Sequence, residues 1–318
     1  MADNGTFYYH IQGVAEGTSY SIIYQDEGDR DFQPEINRLL ARFEKSLSVY
    51  DNDSIISRIN RNENVEVDHY FKTVFNKAKQ ISELTHGTFD ISAEPLFKAW
   101  GFSSQERNIP DNEKIKELRQ YIGMEKIWLE NDYIIKSDPN IILNANAIAK
   151  GYSADLIADF LENKACENFL VEIGGEIRVK GFNTEGQPWR VGIDRPAEDN
   201  PIPGQNLEMV LNITDKAIAT SGNYRQFYIE DGQKVVHTID PSSGYPVKHN
   251  LVSVTVVADE CITADAFATA FLVVGIEKSL EWINEFPYLE AIFISNENEE
   301  FKVYCTPDIQ DYISAAIS

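Results

Sequence analysis

The stretch FLVEIGGEIRVKG, residues 169–181, shows the fold most clearly. It holds two short runs rich in branched apolar residues, 169–173 and 177–181, with Gly174 and Gly175 between them. Two such runs joined by a tight glycine turn are typical of an antiparallel hairpin. The sequence therefore predicts a β-sheet that contains at least this antiparallel pair.

Regular patterns continue on both sides of this hairpin. Residues 147–161 are apolar at helical spacing and follow a predicted short strand at 140–143. A helix is predicted to begin at Asp31 as its N-cap, and a second helix to end before Gly87. Helices interleaved with strands predict an α+β or mixed α/β fold, and we expect one domain over residues 6–318, with two lobes as an alternative. The remaining predictions are strands at 19–24, 189–193, 208–213, 226–229, 235–239, 251–257 and 291–295 and a helix of small residues at 263–274.

Composition and charge limit the classes of function. The chain has 318 residues, of which 43% are hydrophobic, so it can bury a sizeable core. Its 51 acidic and 28 basic residues give a net charge of −23. This charge disfavours binding to nucleic acids and to anionic membrane surfaces. An anionic small ligand would need a local cation, either Lys, Arg or a metal ion.

Other sequence features give no sign of a redox or membrane role. Cys166, Cys261 and Cys305 are widely spaced and contain no metal-binding pair, so we expect three buried thiols. No apolar run has the roughly 18 residues of a membrane helix, and the chain begins without a leader or lipidation motif. Residues 1–5 are expected to be disordered or foreign to the natural chain. No P-loop, nucleophile elbow or dinucleotide fingerprint occurs.

Asp265 and Thr269 form the first candidate for chemistry. They lie four residues apart in the predicted helix at 263–274, so both side-chain oxygens project from one face. A carboxylate and a hydroxyl are hard ligands that suit Mg²⁺ or Ca²⁺. On spacing alone a structural role is favoured, because an acid complements the start of a helix and a threonine bonds back to its own helix.

A second candidate is the polar stretch at 144–152, where a predicted strand meets a helix. Asn144 and Asn146 precede the helix, whose free N–H groups can bind phosphate, and Lys150 adds a positive charge. Two capping asparagines and a solvated lysine are the structural alternative. His237 is a third candidate, because it ends an apolar strand before a turn and can act as a general base. A bond from His237 to that turn is the alternative.

Two further stretches carry candidate ligand contacts. Gly87 permits a tight turn, so the backbone near Thr88, Phe89 and Asp90 can approach a ligand closely. An ordinary helix-to-loop turn explains the same residues. Tyr50 can stack on a flat heterocycle, although a half-buried structural tyrosine is the commoner case.

These stretches together resemble one family, the ApbE-type flavin transferases, or FAD:protein FMN transferases. The matches occur in the same order over nearly the whole chain. They cover residues 17–20, 47–60, 87–90, 147–152, 171–176, 219–224, 237–244 and 264–270.

The resemblance implies roles for particular residues. Asp265, Thr269 and the backbone carbonyl of Ala147 match magnesium ligands, and His237 matches the base. The residues that match positions near FAD are Tyr50 beside the isoalloxazine, the loop residues Thr88, Phe89 and Asp90, Asn144 and Lys150, and Ile239 in the adenine-side turn. Four of this chain's residues depart from the family pattern. Glu16 replaces a common methionine and Asn144 the usual aspartate, Asn146 stands where Ser or Gly is usual, and Ile55 replaces a frequent glutamate.

The resemblance also implies a fold, an activity and a setting. The fold would be T-fold-like, with a largely antiparallel sheet and flanking helices. The activity would be Mg²⁺-dependent transfer of FMN from FAD to a Ser/Thr hydroxyl of a target flavoprotein, with release of AMP. The acceptors would be subunits of membrane redox complexes, and the natural protein would be a lipid-anchored lipoprotein of the bacterial periplasm. An FAD pyrophosphatase and a non-catalytic FAD-binding lipoprotein are the alternatives.

Overall fold

The structure, a computed structural model, describes residues 7–103, 109–196, 204–224, 227–230, 233–298 and 300–316. Its helices are α1 (Gln33–Leu47), α2 (Ile55–Asn60), α3 (His69–Leu84), α4 (Glu94–Ala99), α5 (Asn112–Leu118), α6 (Ala149–Asn163), α7 (Cys261–Val274) and α8 (Ile276–Glu285). Its strands are β1 (Phe7–Ala15), β2 (Thr18–Asp26), β3 (Ile127–Glu130), β4 (Tyr133–Lys136), β5 (Phe169–Ile173), β6 (Glu176–Lys180), β7 (Trp189–Asp194), β8 (Leu207–Ile213), β9 (Ala217–Gly222), β10 (Phe227–Glu230), β11 (Gln233–Val236), β12 (Ile239–Asp240), β13 (Tyr245–Pro246), β14 (Leu251–Ala258), β15 (Glu290–Glu297), β16 (Glu300–Cys305) and β17 (Ile313–Ala316).

An eight-stranded sheet forms the centre of the fold, in the order β1-β2-β5-β6-β9-β14-β15-β16. Each neighbouring pair in it is antiparallel. The predicted hairpin at 169–181 is its β5–β6 pair, with Ile173 opposite Glu176 across the glycine turn. The mixed α/β class and the largely antiparallel sheet are therefore confirmed.

The two faces of the central sheet carry different layers. On one face, a second sheet in the order β17-β8-β7 buries its apolar side chains against β6, β9, β14 and β15. On the other face, α6 packs against β5 and α7 packs against β14 and β15. Strand β5 shows the expected alternation, because Phe169 and Val171 face the α6 side whereas Leu170 faces the second sheet. Helices α6 and α7 thus lie side by side on the sheet.

Several predicted boundaries differ from those in the structure. Residues 140–143 form no strand, because Leu143 exchanges its backbone hydrogen bonds with the side chain of Asn60. The N-cap of helix α1 is Phe32, not Asp31. The Asp31 side chain still accepts a hydrogen bond from the amide of Gln33, the first residue of the helix. The predicted strand at 235–239 is divided between β11 and β12. The predicted strand at 226–229 begins outside the described residues and continues as β10.

The predicted end of α3 agrees with the structure, and the expected burial of the cysteines does so in part. Helix α3 ends at Leu84 and Gly87 follows in the left-handed conformation, with its amide donating to Ser82. Cys166 and Cys261 are buried and Cys305 is partly buried, all as free thiols. Within the described part of the chain, no helix combines the length and apolar character needed to cross a membrane.

Candidate active site

The contact between α6 and α7 forms the centre of the candidate site. The Gly151 amide, in the first turn of α6, donates to Oδ2 of Asp265 on α7 at 2.9 Å. A Cβ atom at Gly151 would lie 2.4 Å from the Cys261 carbonyl oxygen and 2.7 Å from Cβ of Asp265. Only glycine therefore allows the two helices to approach this closely. The approach leaves Asp265 with 5% of its surface exposed, directly beside the start of α6.

Lys150 provides the positive charge at this contact. Its ammonium forms an ion pair with Glu176, whose side chain is 5% exposed. Burial disfavours the ammonium, but the carboxylates of Glu176, Asp265 and Glu16 outweigh this effect and raise the pKa of Lys150. Burial raises the pKa of Glu176 against the opposing effect of Lys150. Lys150 is therefore a permanent cation at the α6 start, close to the Asp265 carboxylate.

Glu176 is a site residue that the sequence analysis missed. It begins β6 directly after the glycine turn, so the β5–β6 hairpin delivers its side chain to Lys150. Its second oxygen, Oε2, is buried and has no hydrogen-bond partner among the described residues. An acidic residue after a Gly-Gly turn, within the conspicuous hairpin, was the available signal.

The second magnesium candidate, Thr269, is connected to the His237 region through strand β9. Its hydroxyl lies 3.2 Å from the hydroxyl of Ser221 at the end of that strand. Two residues later, the Asn223 side chain accepts a hydrogen bond from the Thr238 hydroxyl. His237 precedes Thr238 and is half-buried, with its ring 6.2 Å from the ring of Phe102. The structure therefore links the predicted base to the Thr269 side of the site.

The loop at 88–94 meets the polar stretch at Asn144. The Asn144 amide donates to the Ile91 carbonyl at 2.7 Å, and its side-chain Nδ2 donates to Oε2 of Glu94 at 2.8 Å. Glu94, in the first turn of α4, is a second residue that the sequence analysis missed. Its carboxylate lies next to Asn144, which stands at the position where the family pattern has an aspartate.

The predicted loop contacts differ in their accessibility. Phe89 is 1% exposed and belongs to the hydrophobic core, so only its backbone can meet a ligand. Thr88 is half-buried. Asp90 accepts hydrogen bonds from the amide and the hydroxyl of Ser92, at 2.8 and 2.6 Å. Burial nevertheless raises the pKa of Asp90 to about 6.

Tyr50 and Ile239 lie at opposite extremes of exposure. Tyr50 is 85% exposed, and its hydroxyl accepts a 3.4 Å hydrogen bond from Asn146, within the polar stretch. Ile239 is 2% exposed and packs with Leu96 and Trp100, so its side chain cannot reach a ligand. A contact between Ile239 and a nucleotide would have to use its backbone.

Glu16 is the third missed residue. It occupies the turn between β1 and β2 with a φ of 53°, and its amide donates to the carboxylate of Glu44 on α1. Its Oε1 is buried and lacks a hydrogen-bond partner in the described structure. Burial raises its pKa to about 8, although the charge of Lys150 opposes the shift. The available signal was its departure from the family pattern.

The donor groups present fit a magnesium ion better than a transition metal. In the described ranges, no three His, Cys, Asp or Glu side chains are grouped to hold a metal. The predicted set has one carboxylate, Asp265, one hydroxyl, Thr269, and the carbonyl of Ala147, four residues before Gly151. Mg²⁺ binds such sites through one or two carboxylates and keeps its remaining positions for water and substrate phosphates.

The segment 144–151 therefore joins most of the predicted residues. It carries Asn144, Ala147 and Lys150, and it contacts Tyr50 through Asn146 and Asp265 through Gly151. A lysine and a buried carboxylate at one place suit a phosphate-bearing ligand together with its metal ion.

Comparisons with known proteins agree with this description. A family model described as "ApbE family" matches residues 16–293. The FAD:protein FMN transferase of Vibrio cholerae is 35% identical over 314 residues, which are 96% of this chain and 92% of that protein. The FAD:protein FMN transferase of Haemophilus influenzae is 34% identical over 286 residues, which are 85% and 82% of the two chains.

Solved structures are similar over the same extent. The flavin transferase ApbE from Vibrio cholerae superimposes with a TM-score of 0.84 at 33% identity and covers 97% of this chain and 100% of that one. The apo flavinyl transferase ApbE of Pseudomonas stutzeri gives a TM-score of 0.87 at 28% identity, with 98% of each chain covered.

Proposed function

The chain belongs to the ApbE family of flavin transferases, and from this premise we propose its reaction. It transfers FMN from FAD to a Ser or Thr hydroxyl of an acceptor protein and releases AMP, with Mg²⁺ as the cofactor. In this reaction the acceptor oxygen forms a bond to the FMN phosphorus, and the bond from that phosphorus to the AMP oxygen breaks. The acceptor's proton passes to a base.

One observation carries the proposal above the others, namely the contact of Gly151 with Asp265 at the start of α6. It holds a permanent cation, Lys150, beside a buried carboxylate at the start of a helix. A pyrophosphate needs such a positive group in a chain with a net charge of −23. Phosphoryl transfer depends mostly on positioning and on charge neutralisation, which these fixed groups provide.

Three groups of this chain would hold the magnesium ion. They are the Asp265 carboxylate, the Thr269 hydroxyl and the Ala147 carbonyl, with Lys150 beside them for the pyrophosphate. The bound ion would stabilise the charge that develops on the departing AMP.

His237 is the proposed base. It follows β11 at the rim of the site and is half-buried, so a hydroxyl arriving from solvent can meet its ring. Histidine is the side chain that most often acts as a general base near neutral pH. The proposal includes an extracytoplasmic, lipid-anchored natural protein that acts on subunits of membrane redox complexes.

A second candidate function is hydrolysis of FAD to FMN and AMP. The exposure of Tyr50 supports hydrolysis as a candidate, because a tyrosine that is 85% exposed does not close the flavin side of the site against water. Water that reaches the phosphorus can replace the acceptor hydroxyl.

One assay separates these functions. The purified chain is incubated with FAD and either Mg²⁺ or EDTA, with and without a Ser/Thr-bearing acceptor, and AMP is followed by chromatography. Transfer predicts AMP only with metal and acceptor, together with flavin bound covalently to the acceptor. AMP and free FMN without acceptor would identify a pyrophosphatase, and bound FAD without AMP would identify a flavin binder.

The same assay tests His237. The His237→Ala variant should bind FAD as wild type does but lose transfer by about 10²- to 10⁴-fold, which is the usual contribution of a general base. Equal loss of FAD binding and transfer would contradict its assignment as the base.

A further inference from the structure

Helices α6 and α7 hold each other by an exchange of hydrogen bonds at their first turns. Asp155 of α6 accepts the amides of Cys261 and Ile262, the first two residues of α7, at 2.9 and 2.8 Å. In the opposite direction, the Gly151 amide of α6 donates to Asp265 of α7 at 2.9 Å. On each helix the donating and accepting positions are four residues apart and share one face. Each helix therefore satisfies N–H groups at the start of the other.

This cap of α7 differs from the side-chain caps of other described helices. Ser54, Asp68 and Asp111 each cap the helix that directly follows them, which is α2, α3 and α5 in turn. Glu260, the residue before α7, makes no side-chain capping hydrogen bond, and the cap comes instead from a residue 106 positions away from Cys261 in the chain. A local Ser, Thr, Asp or Asn would satisfy the same N–H groups. The distant cap adds what a local one cannot, a fixed position of α7 relative to α6.

Stability alone does not favour an aspartate at position 155. The Asp155 side chain is 13% exposed, and its Oδ1 lies 4.0 Å from Nε of Arg178. Burial raises the pKa of Asp155 to about 7, although the two amides and Arg178 oppose this shift. A buried carboxylate with such incomplete pairing destabilises a fold relative to a neutral cap. The residue therefore needs a role beyond the satisfaction of a helix end.

The exchange fixes the spacing of the proposed magnesium ligands. Asp265 and Thr269 belong to α7, whereas the Ala147 carbonyl comes two residues before α6. A slide of α7 along α6 by one residue would move the two side chains by about 1.5 Å relative to that carbonyl. Mg²⁺ needs near-ideal octahedral geometry with oxygens at about 2.0–2.1 Å, so such a slide would separate the ion from part of its ligands. The two amides bonded to Asp155 oppose this slide.

We propose that Asp155 is a positioning residue for the magnesium site, which sets the register of α7 against α6 and so brings the ligands on α7 to the Ala147 carbonyl. It acts through the helix backbone and contacts neither the metal ion nor FAD. The inference rests on the proposed magnesium-dependent reaction.

Asp155→Asn tests the proposal with little change of shape. Asparagine keeps one acceptor oxygen but turns its NH₂ group toward the second α7 amide, which then has no acceptor. Isothermal titration of the FAD-free chain with Mg²⁺ should show a Kd raised by about 10- to 100-fold, the usual effect of removing a group that orients metal ligands. The Mg²⁺ concentration for half-maximal AMP release should rise by the same factor, and saturating Mg²⁺ should restore most of kcat.

Asp68→Asn is the matched control. Asp68 caps α3 by accepting the Phe71 amide at 2.9 Å, and it lies outside the proposed site. This variant weakens a cap of the same kind, so its urea midpoint should fall as that of Asp155→Asn does, while its Kd for Mg²⁺ should stay at the wild-type value. An equal rise of the Kd in both variants would trace the effect to stability alone and overturn the proposal.

Asp155→Glu distinguishes position from charge, and it serves as the test if the Asn variant does not fold. Glutamate keeps the charge that favours a helix start and both acceptor oxygens, but its extra methylene moves them further from the α6 backbone. A role in position predicts weaker Mg²⁺ binding by the folded variant, whereas a role in capping alone predicts the wild-type Kd. A wild-type Kd for Mg²⁺ in either variant of Asp155 would overturn the proposal.

Wild-type measurements keep this inference apart from the proposed reaction. A wild-type chain that binds no Mg²⁺ contradicts the metal cofactor and overturns this inference with it. A wild-type chain that binds Mg²⁺ and transfers FMN, while Asp155→Glu binds Mg²⁺ equally well, supports the reaction and overturns the inference alone.

Discussion

Helices α7 and α1 both border the candidate site, yet they have opposite surroundings. Every residue of α7 except Thr269 and Val274 is buried, and its few polar side chains lie among alanines and aromatics. Helix α1 is of similar length but buries only Ile36, Leu40, Phe43, Ser46 and Leu47. Its charged residues are in contact with water.

The difference decides what a polar residue indicates. A buried carboxylate costs several kcal/mol unless it is paired, so selection for stability alone would remove Asp265 from α7. Charged residues on α1 cost almost nothing, because they stay hydrated. A buried charge in α7 therefore needs a functional explanation, whereas an exposed charge in α1 does not.

Replacing Asp265 is the strongest test of this comparison. Asp265→Asn keeps the shape and the oxygen that accepts the Gly151 hydrogen bond, but it removes the charge for the metal. We expect AMP release at saturating Mg²⁺ to fall by about 10³-fold, since a metal contributes several kcal/mol to such transition states. Isothermal titration should show a matching loss of Mg²⁺ binding. Wild-type rates with an unchanged dependence on Mg²⁺ would break the comparison.

Two threonines of α7 provide a finer test of the comparison between the helices. Thr269 is a predicted magnesium ligand, whereas Thr263 donates to Glu260 before the helix, at 3.0 Å. Thr269→Val should weaken Mg²⁺ binding by about tenfold, because the variant loses the contact of the hydroxyl with the ion, which is about as strong as a hydrogen bond. Thr263→Val should leave Mg²⁺ binding unchanged and lower the unfolding free energy by about 1 kcal/mol. Equal Mg²⁺ affinities in the two variants would show that position 269 has no special role.

The same contrast explains how much the sequence could predict. Apolar periodicity sufficed for α3 and α6, and alternation with a glycine turn for the β5–β6 hairpin, because burial on one face imposes a period on the sequence. Helix α7, which is buried on nearly all sides, was predicted from its run of small residues instead. The family resemblance singled out Asp265 and Lys150, which the structure brings together. Helical spacing alone had favoured a structural role for Asp265.

The failures have a common physical cause. Residues 140–143 look like a strand, but the backbone hydrogen bonds of Leu143 go to Asn60, far away in the chain. Glu94 and Glu176 became site residues only because folding brought them to Asn144 and Lys150. Pairings between distant residues leave no local pattern in a sequence.

Asp90 tests whether buried acids outside α7 also reduce stability. Its carboxyl has a pKa of about 6 in the folded chain, above the value near 3.9 of an unfolded aspartate. The folded state therefore holds the proton more tightly, so stability falls as pH rises from about 4 to about 6 and levels off above that range. Asp90→Asn, whose amide oxygen can still accept from Ser92, should raise the unfolding free energy by about 2 kcal/mol at pH 8 and leave it unchanged near pH 3. Urea unfolding at the two pH values measures this difference, and destabilisation at pH 8 would contradict it.

The smallest effect is expected on α1. Arg38 and Glu35 lie 3.9 Å apart, with 63% and 40% of their side chains exposed. An ion pair this open is screened by water, so Arg38→Gln should change the unfolding free energy by less than about 0.5 kcal/mol. Urea unfolding at low and high salt is the measurement, with Glu35→Gln as the matched variant. A loss above 1 kcal/mol that disappears in salt would mean that the charges of α1 also stabilise the fold, and exposure alone would then no longer separate the two helices.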